Sequence, residues 1–139
     1  SSIEFAVAAR RSPSSTSKRP PPPAPRGAEA ELHRAFVNGA WLSLYPRFVA
    51  EHQELMARLQ ETLPLRQEEL LLFGQSKPTP RLTSWHGDPG CVYTYSGREF
   101  TPEPWTTELE RLRDYLKWRT GHSFNSVLVN FYRNEKDSM

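Results

Sequence analysis

The stretch that most constrains the fold is an alternating segment near the carboxyl end of the sequence. Residues 125–132 predict a β-strand, because apolar side chains recur at every second position. One face of this strand is apolar and consists of Val127, Val129 and Phe131. The other face carries Leu128, Asn130 and Tyr132. The apolar face needs a core to pack against, whereas the pair of Asn130 and Tyr132 indicates a separate, polar role.

Two helices are predicted before this strand. Residues 44–64 place apolar side chains on one helical face, namely Phe48, Leu55, Met56, Leu59 and Leu63. Residues 103–121 predict a second helix, with capping-box spacing between Thr107 and Glu110 and with Gly121 at the C-cap. Both patterns indicate helices that pack one apolar side against a core.

Extended segments are predicted between the two helices. Residues 68–74 and 91–97 predict strands, and residues 75–90 predict a loop with several Pro and Gly residues. The resulting order is helix, strand, loop, strand, helix, strand. This order indicates an α+β fold without βαβ repeats.

The first 31 residues predict a disordered tail rich in Pro, Ser and Arg, followed by a folded part over residues 32–139. Residues 1–28 hold five basic residues against the single acid Glu4, so the tail accounts for the net charge of +2 of the whole chain. A Pro-rich linker is the favoured interpretation of the tail. A transit peptide and a basic nuclear-import patch are the alternatives.

The sequence also bears on the compartment of the protein. No apolar run approaches the ~20 residues that span a bilayer, and the single Cys91 excludes an internal disulfide framework. We therefore expect an intracellular monomer without a membrane partner. The nucleus is the favoured location, and the cytoplasm or an organelle, reached through the Arg- and Ser-rich start of the chain, is the alternative.

A short motif suggests a metal site. His86 and Asp88 have the H-x-D spacing of two ligands in a two-His-one-carboxylate iron site, and His122 is a candidate for the distant third ligand. The Gly, Asp and Pro residues of the His-Gly-Asp-Pro-Gly segment are typical of a turn, which explains the segment more simply than a metal site does. The local pattern therefore favours a turn.

Aromatic residues surround the same segment. Trp85, Tyr93 and Tyr95, with Arg81 and Arg98 close in sequence, have the composition of a surface that stacks on nucleic-acid bases. Aromatic residues in strands are more often part of a core. The pattern alone favours the core.

Two longer motifs, PRLTSWHGDPGCVYTYSG (80–97) and FNSVLVNFYRNEKDS (124–138), resemble the AlkB family of iron(II)- and 2-oxoglutarate-dependent dioxygenases, in its alkylation-repair branch. The resemblance extends from about residue 44 to residue 139. It implies the N-terminal portion of a double-stranded β-helix (jelly-roll) with flanking helices. It also implies that alkylated DNA or RNA is the substrate and is dealkylated by oxidation, with Fe(II) as cofactor and 2-oxoglutarate as cosubstrate.

The resemblance extends to single residues. Asn130 and Tyr132 match the Asn-x-Tyr pair that binds 2-oxoglutarate. Arg81, Tyr93 and Tyr95 match positions of the nucleotide-recognition lid, where aromatic residues contact an extruded base. The resemblance therefore predicts a cosubstrate site on the last strand and a substrate site on the lid.

His86 departs from the family pattern, which usually has tyrosine at this position, and this counts against an iron site at His86 and Asp88. The resemblance places the iron ligands after Met139. The 139-residue piece is thus expected to contain no catalytic or metal-binding residue, to fold poorly and to be inactive. A non-catalytic fragment that binds nucleic acid or protein is an alternative, as is a family member that acts on a protein or lipid substrate.

Overall fold

The structure is a computed structural model that describes residues 2–8, 25–27, 33–95 and 98–138. The strands are β1 (Ser2–Ala8), β2 (His33–Val37), β3 (Ala40–Leu44), β4 (Glu69–Leu72), β5 (Gln75–Pro78), β6 (Leu82–Gly87), β7 (Tyr93–Tyr95), β8 (Arg98–Phe100) and β9 (Ser126–Tyr132). The helices are α1 (His52–Thr62) and α2 (Thr107–Thr120). Helices and antiparallel strands occur together, so the predicted α+β class is confirmed.

The predicted terminal strand is confirmed as β9, the central strand of a three-stranded antiparallel sheet with β1 and β6 at its sides. Asn130 lies between Glu4 of β1 and Thr83 of β6, which are its Cα partners. Residues paired in this way share a face of the sheet. The remaining strands form the two-stranded hairpins β2–β3, β4–β5 and β7–β8.

The apolar face of β9 forms the core, as predicted. A buried cluster joins β9 to both helices and consists of Leu59, Leu63, Leu109, Val127 and Val129. Phe131 is buried on the same face of β9. Burying each large side chain of this kind contributes about 1.5–3 kcal/mol. The two helices therefore cover one side of β9 and leave the side of Asn130 and Tyr132 facing away from them.

The second helix agrees with its sequence signals, with a shift of one residue at its start. Thr106, not the predicted Thr107, is the N-cap, and its side chain accepts a hydrogen bond from the backbone N–H of Leu109. The extended backbone of Thr106 (φ −87°, ψ 158°) is what an N-cap requires. Gly121 ends the helix with a left-handed φ of 75°, which confirms the predicted C-cap.

Two predicted elements need correction. The predicted loop over residues 75–90 contains β5 and β6, because backbone pairing with β4 and β9 overrides the local turn signals. The predicted helix over residues 44–64 begins only at His52, because Leu44 ends β3 and Arg47 has a positive φ of 51°.

The predicted strand over residues 68–74 is confirmed as β4. Within the predicted strand 91–97, the structure describes β7, and residues 96–97 lie outside the described residues.

The predicted disordered tail is wrong for Ser2–Ala8, which pairs with β9 along its whole length as β1. The sequence gives little sign of this strand, because its pairing partner lies more than a hundred residues away. Arg26 is also held, since its backbone N–H donates to the Arg119 carbonyl at the end of α2. Apart from residues 25–27, the rest of the predicted tail lies outside the described residues. In the described part of the chain, no helix is both long and apolar enough to cross a membrane.

Candidate functional site

The polar face of β9 is centred on Asn130. This side chain is buried, with only 3% of its surface exposed, although it lies on the side away from the helices. Its Oδ1 atom is buried and has no hydrogen-bond partner. A buried polar atom without a partner costs about 1–3 kcal/mol, so Asn130 has an unused hydrogen-bonding capacity at this position.

Tyr132 lies two residues further along the same face and is bonded to β1. Its hydroxyl group donates to Oε2 of Glu4 at 2.8 Å. This hydrogen bond is the main reason that the pKa of the Tyr132 phenol is raised, and burial and the negative charge of Glu4 add to the shift. The positive charge of Arg81 acts in the opposite direction. Tyr132 thus lies between an acidic group and a basic group.

Arg81 reaches this face from the segment just before β6. The next residue, Leu82, is the Cα partner of Phe131, which places Arg81 at the end of the sheet beside Tyr132. Its Nη1 atom donates to the Ser138 carbonyl at 3.1 Å, and its Nε atom is buried without a hydrogen-bond partner. The structure therefore brings Arg81 to the predicted cosubstrate residues, with one donor unused.

The two predicted lid tyrosines lie in a different element. The backbones of Tyr93 and Tyr95 belong to β7 and pair with Phe100 and Arg98 of β8. The side chains of Tyr93, Tyr95 and Arg98 lie outside what the structure describes. The hairpin β7–β8 is a sheet of its own, so the predicted substrate residues divide between it and the β1–β9–β6 sheet.

His86 and Gly87 form the end of β6, so the turn predicted for the His-Gly-Asp-Pro-Gly segment is wrong for these two residues. It is confirmed from Asp88 onward, where the backbone N–H of Cys91 donates to the Asp88 carbonyl. The His86 ring is buried on the core face, and its Nδ1 lies 2.7 Å from the Pro104 carbonyl. Because a carbonyl can only accept, Nδ1 donates, and in the neutral ring Nε2 accepts the Ser84 hydroxyl at 2.7 Å. Asp88 accepts a hydrogen bond from Trp105 Nε1 at 2.8 Å. Both members of the H-x-D motif are therefore engaged by protein groups.

Two notable residues were missed by the sequence analysis. Glu4 was assigned to a disordered tail, and no local signal places it opposite Asn130. Phe73 lies at the tip of the β4–β5 hairpin with its side chain fully exposed (104%). Phe73 and Gly74 both have positive φ, 50° and 76°, as two-residue hairpin turns require. The Phe-Gly pair between two extended segments is the signal that could have located this exposed aromatic residue.

Comparison with known proteins gives consistent matches. The sequence profile of the 2OG-Fe(II) oxygenase superfamily matches residues 41–139. The alpha-ketoglutarate-dependent dioxygenase alkB homolog 3 of Rattus norvegicus is 41% identical over 99 residues, which cover 69% of this chain and 33% of the rat protein. The DNA oxidative demethylase ALKBH2 of Homo sapiens is 42% identical over 66 residues, which cover 48% of this chain and 25% of the human protein. The chain thus spans about a third or less of the length of these relatives.

Proposed function

Because the chain belongs to the 2OG-Fe(II) oxygenase superfamily and is AlkB-like, we propose that the complete protein is a dioxygenase that removes alkyl groups from damaged bases of DNA or RNA. The names of the two relatives support this proposal, since one is called an alpha-ketoglutarate-dependent dioxygenase and the other a DNA oxidative demethylase. The superfamily uses Fe(II) and 2-oxoglutarate. In this proposal the β1–β9–β6 sheet is part of the N-terminal half of a jelly-roll.

The observation that carries the proposal is the buried, unsatisfied Asn130 beside Tyr132 on the face of β9 away from the helices. An amide and a phenol are suited to bind a small keto dicarboxylate, because together they offer donors and an acceptor in a partly dry site. A bound ligand would give the Asn130 side chain the partner that it lacks. We therefore assign Asn130 and Tyr132 to 2-oxoglutarate binding.

The described residues do not fit an iron ion. Among them, no group of three or more His, Cys, Asp or Glu side chains lies close enough to hold a metal. His86 and Asp88 are engaged by Ser84, Pro104 and Trp105 instead. We propose that the iron ligands belong to a part of the complete protein outside this chain, and no role in metal binding is assigned to the described residues.

The nucleic-acid side of the proposal involves the hairpins. Arg81 supplies a positive charge at the start of β6, and Tyr93 and Tyr95 of β7 are assigned to contact a base extruded from the stack. Phe73 adds a fully exposed aromatic ring at a hairpin tip, a position suited to stacking on bases. These features favour a nucleic acid over a protein or lipid substrate. A nuclear location remains part of the proposal and is supported by the basic N-terminal segment.

The experiment that tests the proposal compares alkylated and unmodified substrates. The complete protein is incubated with Fe(II), 2-oxoglutarate and a single-stranded oligonucleotide carrying a methylated base, and mass spectrometry follows loss of the methyl group. DNA and RNA versions of the same oligonucleotide distinguish the two substrates. Loss of the methyl group with formation of succinate is the expected result. Tight binding of the oligonucleotide without any turnover would instead identify a non-catalytic binding protein.

A further inference from the structure

The polar face of β9 already binds a carboxylate, and that carboxylate belongs to the chain itself. Glu4 is the Cα partner of Asn130, and its Oε2 atom accepts the hydrogen bond of Tyr132 at 2.8 Å. A carboxylate is also the group that 2-oxoglutarate presents at each end. Glu4 therefore occupies a hydrogen-bond donor that the proposed function assigns to the cosubstrate.

The position of Glu4 follows from strand register. β1 pairs with β9 from Ser2 opposite Tyr132 to Ala8 opposite Ser126. A shift of one residue would turn Glu4 to the apolar face, where a charge is costly to bury. The side chain of Glu4 is exposed, so it can leave the site without disturbing the core. The contact is thus specific in register and easy to break.

Glu4 and a ligand carboxylate cannot both use Tyr132. The phenol carries one proton and donates one hydrogen bond. In addition, the negative charge of Glu4 repels an incoming dicarboxylate, while the positive charge of Arg81 on the other side of Tyr132 attracts it. Displacing Glu4 would exchange one carboxylate for another at the same donor.

We propose that Glu4 is an internal competitor of 2-oxoglutarate for Tyr132. By occupying the polar face of β9, β1 then holds the protein in an autoinhibited state. This inference rests on the proposed role of Asn130 and Tyr132. It adds a regulatory role for β1, a segment that the sequence assigned to a disordered tail. Any change that detaches β1 from β9 would then raise the affinity for the cosubstrate.

The test measures 2-oxoglutarate binding to the complete protein by calorimetry, with Mn(II) in place of iron(II) so that no turnover occurs. Glu4→Gln removes the charge but keeps the length of the side chain, and Glu4→Ala removes the competing group. Both variants are expected to bind 2-oxoglutarate about 5-fold more tightly or better, which corresponds to about 1 kcal/mol or more of relieved competition. Glu61→Gln, which removes an exposed acid from α1, is the control and should not change the affinity.

A double-mutant comparison separates competition from a general charge effect. In a Tyr132→Phe background, Glu4→Gln should tighten 2-oxoglutarate binding clearly less than in the wild type, because no phenol proton remains to compete for and only the charge repulsion is relieved. Equal tightening with and without the phenol would overturn the inference, as would unchanged or weaker binding by both Glu4 variants. Thermal unfolding shows whether both variants are folded. If Glu4→Gln does not fold, the titration of Glu4→Ala tests the inference instead.

The same titrations distinguish this inference from the proposed function. If Asn130→Ala and Tyr132→Phe weaken 2-oxoglutarate binding but the Glu4 variants bind no more tightly, only the competition is refuted. If Asn130→Ala and Tyr132→Phe leave binding unchanged, the cosubstrate site itself is wrong, and the inference fails with it.

Discussion

Asp137 accepts three hydrogen bonds from Arg133 and thereby closes the turn that follows β9. Its Oδ2 atom accepts from the backbone N–H at 2.9 Å and from Nε at 2.8 Å, and its Oδ1 atom accepts from Nη2 at 2.8 Å. These bonds hold the pKa of the Asp137 carboxyl group at about 2, below its ordinary 3.8. Ser138 then donates to the Pro80 carbonyl, so the turn is also attached to the segment that carries Arg81.

Asp137→Asn is expected to destabilise the protein in a pH-dependent way. A carboxyl group whose pKa falls on folding contributes stability above its unfolded pKa and loses it as the pH falls through its folded pKa. The wild type should therefore unfold at higher urea concentration than the variant above pH 3.8, and the difference should shrink toward a pH of about 2. Asp114→Asn, which removes an exposed acid from α2, is the control. A difference that stays constant over this pH range would contradict the role of the Asp137 charge.

Asn130→Ala and Tyr132→Phe, made together, are expected to impair cosubstrate binding in the complete protein. Each loses a hydrogen bond to a charged ligand, which is worth on the order of 1.5–3 kcal/mol. The 2-oxoglutarate concentration needed for half-maximal turnover should rise at least about tenfold. Titration of 2-oxoglutarate at saturating oligonucleotide measures this change, and an unchanged requirement would show that this face of β9 is structural.

Tyr95→Ala is expected to weaken substrate use while leaving 2-oxoglutarate binding near normal. Tyr95 lies in β7, apart from the sheet that holds Asn130 and Tyr132. Losing one stacking contact with a base costs roughly 1–3 kcal/mol, which should appear in kcat/KM for the oligonucleotide. The measurement is paired with succinate formation in the absence of oligonucleotide. An equal fall in both rates would place Tyr95 at the cosubstrate site.

His86→Ala is expected to destabilise the fold by about 3 kcal/mol. The substitution leaves a cavity on the core face and removes the hydrogen-bond partners of Ser84 and the Pro104 carbonyl. Urea unfolding measures the loss, and Ser84→Ala, which removes one hydroxyl, should cost less. A His86→Ala protein as stable as the wild type would show that these hydrogen bonds contribute little.

The 139-residue chain is expected to form no defined iron(II) site. Anaerobic addition of iron(II) and 2-oxoglutarate should give no metal-to-ligand absorption band, and admitting air should give no succinate, because His86 and Asp88 are engaged by protein groups. The same result is expected for His86→Ala. A band in the wild-type chain that this substitution abolishes, in a variant that circular dichroism shows to be still folded, would restore the H-x-D motif as a ligand pair.

Phe73→Ala is expected to leave the stability almost unchanged and to weaken nucleic-acid binding. The ring of Phe73 is fully exposed, so its removal costs little packing, within about 0.5 kcal/mol. The loss of a stacking contact should reduce oligonucleotide affinity by roughly 1–3 kcal/mol. Fluorescence anisotropy measures the affinity, and Phe73→Trp, which keeps an aromatic ring, should retain it. Unchanged binding by Phe73→Ala would remove this residue from the nucleic-acid surface.

Local patterns in the sequence were sufficient for the elements whose signals are short-range. The second helix follows from its apolar spacing and from Gly121, whose left-handed φ ends it. The strand β9 and its two faces follow from period-two alternation, because side-chain direction in a strand depends only on position. The two motifs at residues 80–97 and 124–138 indicated the family by sequence alone.

Tertiary structure decided what depends on partners far along the chain. Tyr132 and Glu4 are 128 residues apart in sequence, but the Tyr132 hydroxyl donates a hydrogen bond to the Glu4 carboxylate. β6 lies in a segment with turn-like composition and becomes a strand because β9 supplies its backbone hydrogen bonds. His86 is structural because Ser84 and Pro104 occupy both ring nitrogens. Each of these outcomes depends on contacts between residues that no local pattern links, so only the folded chain specifies them.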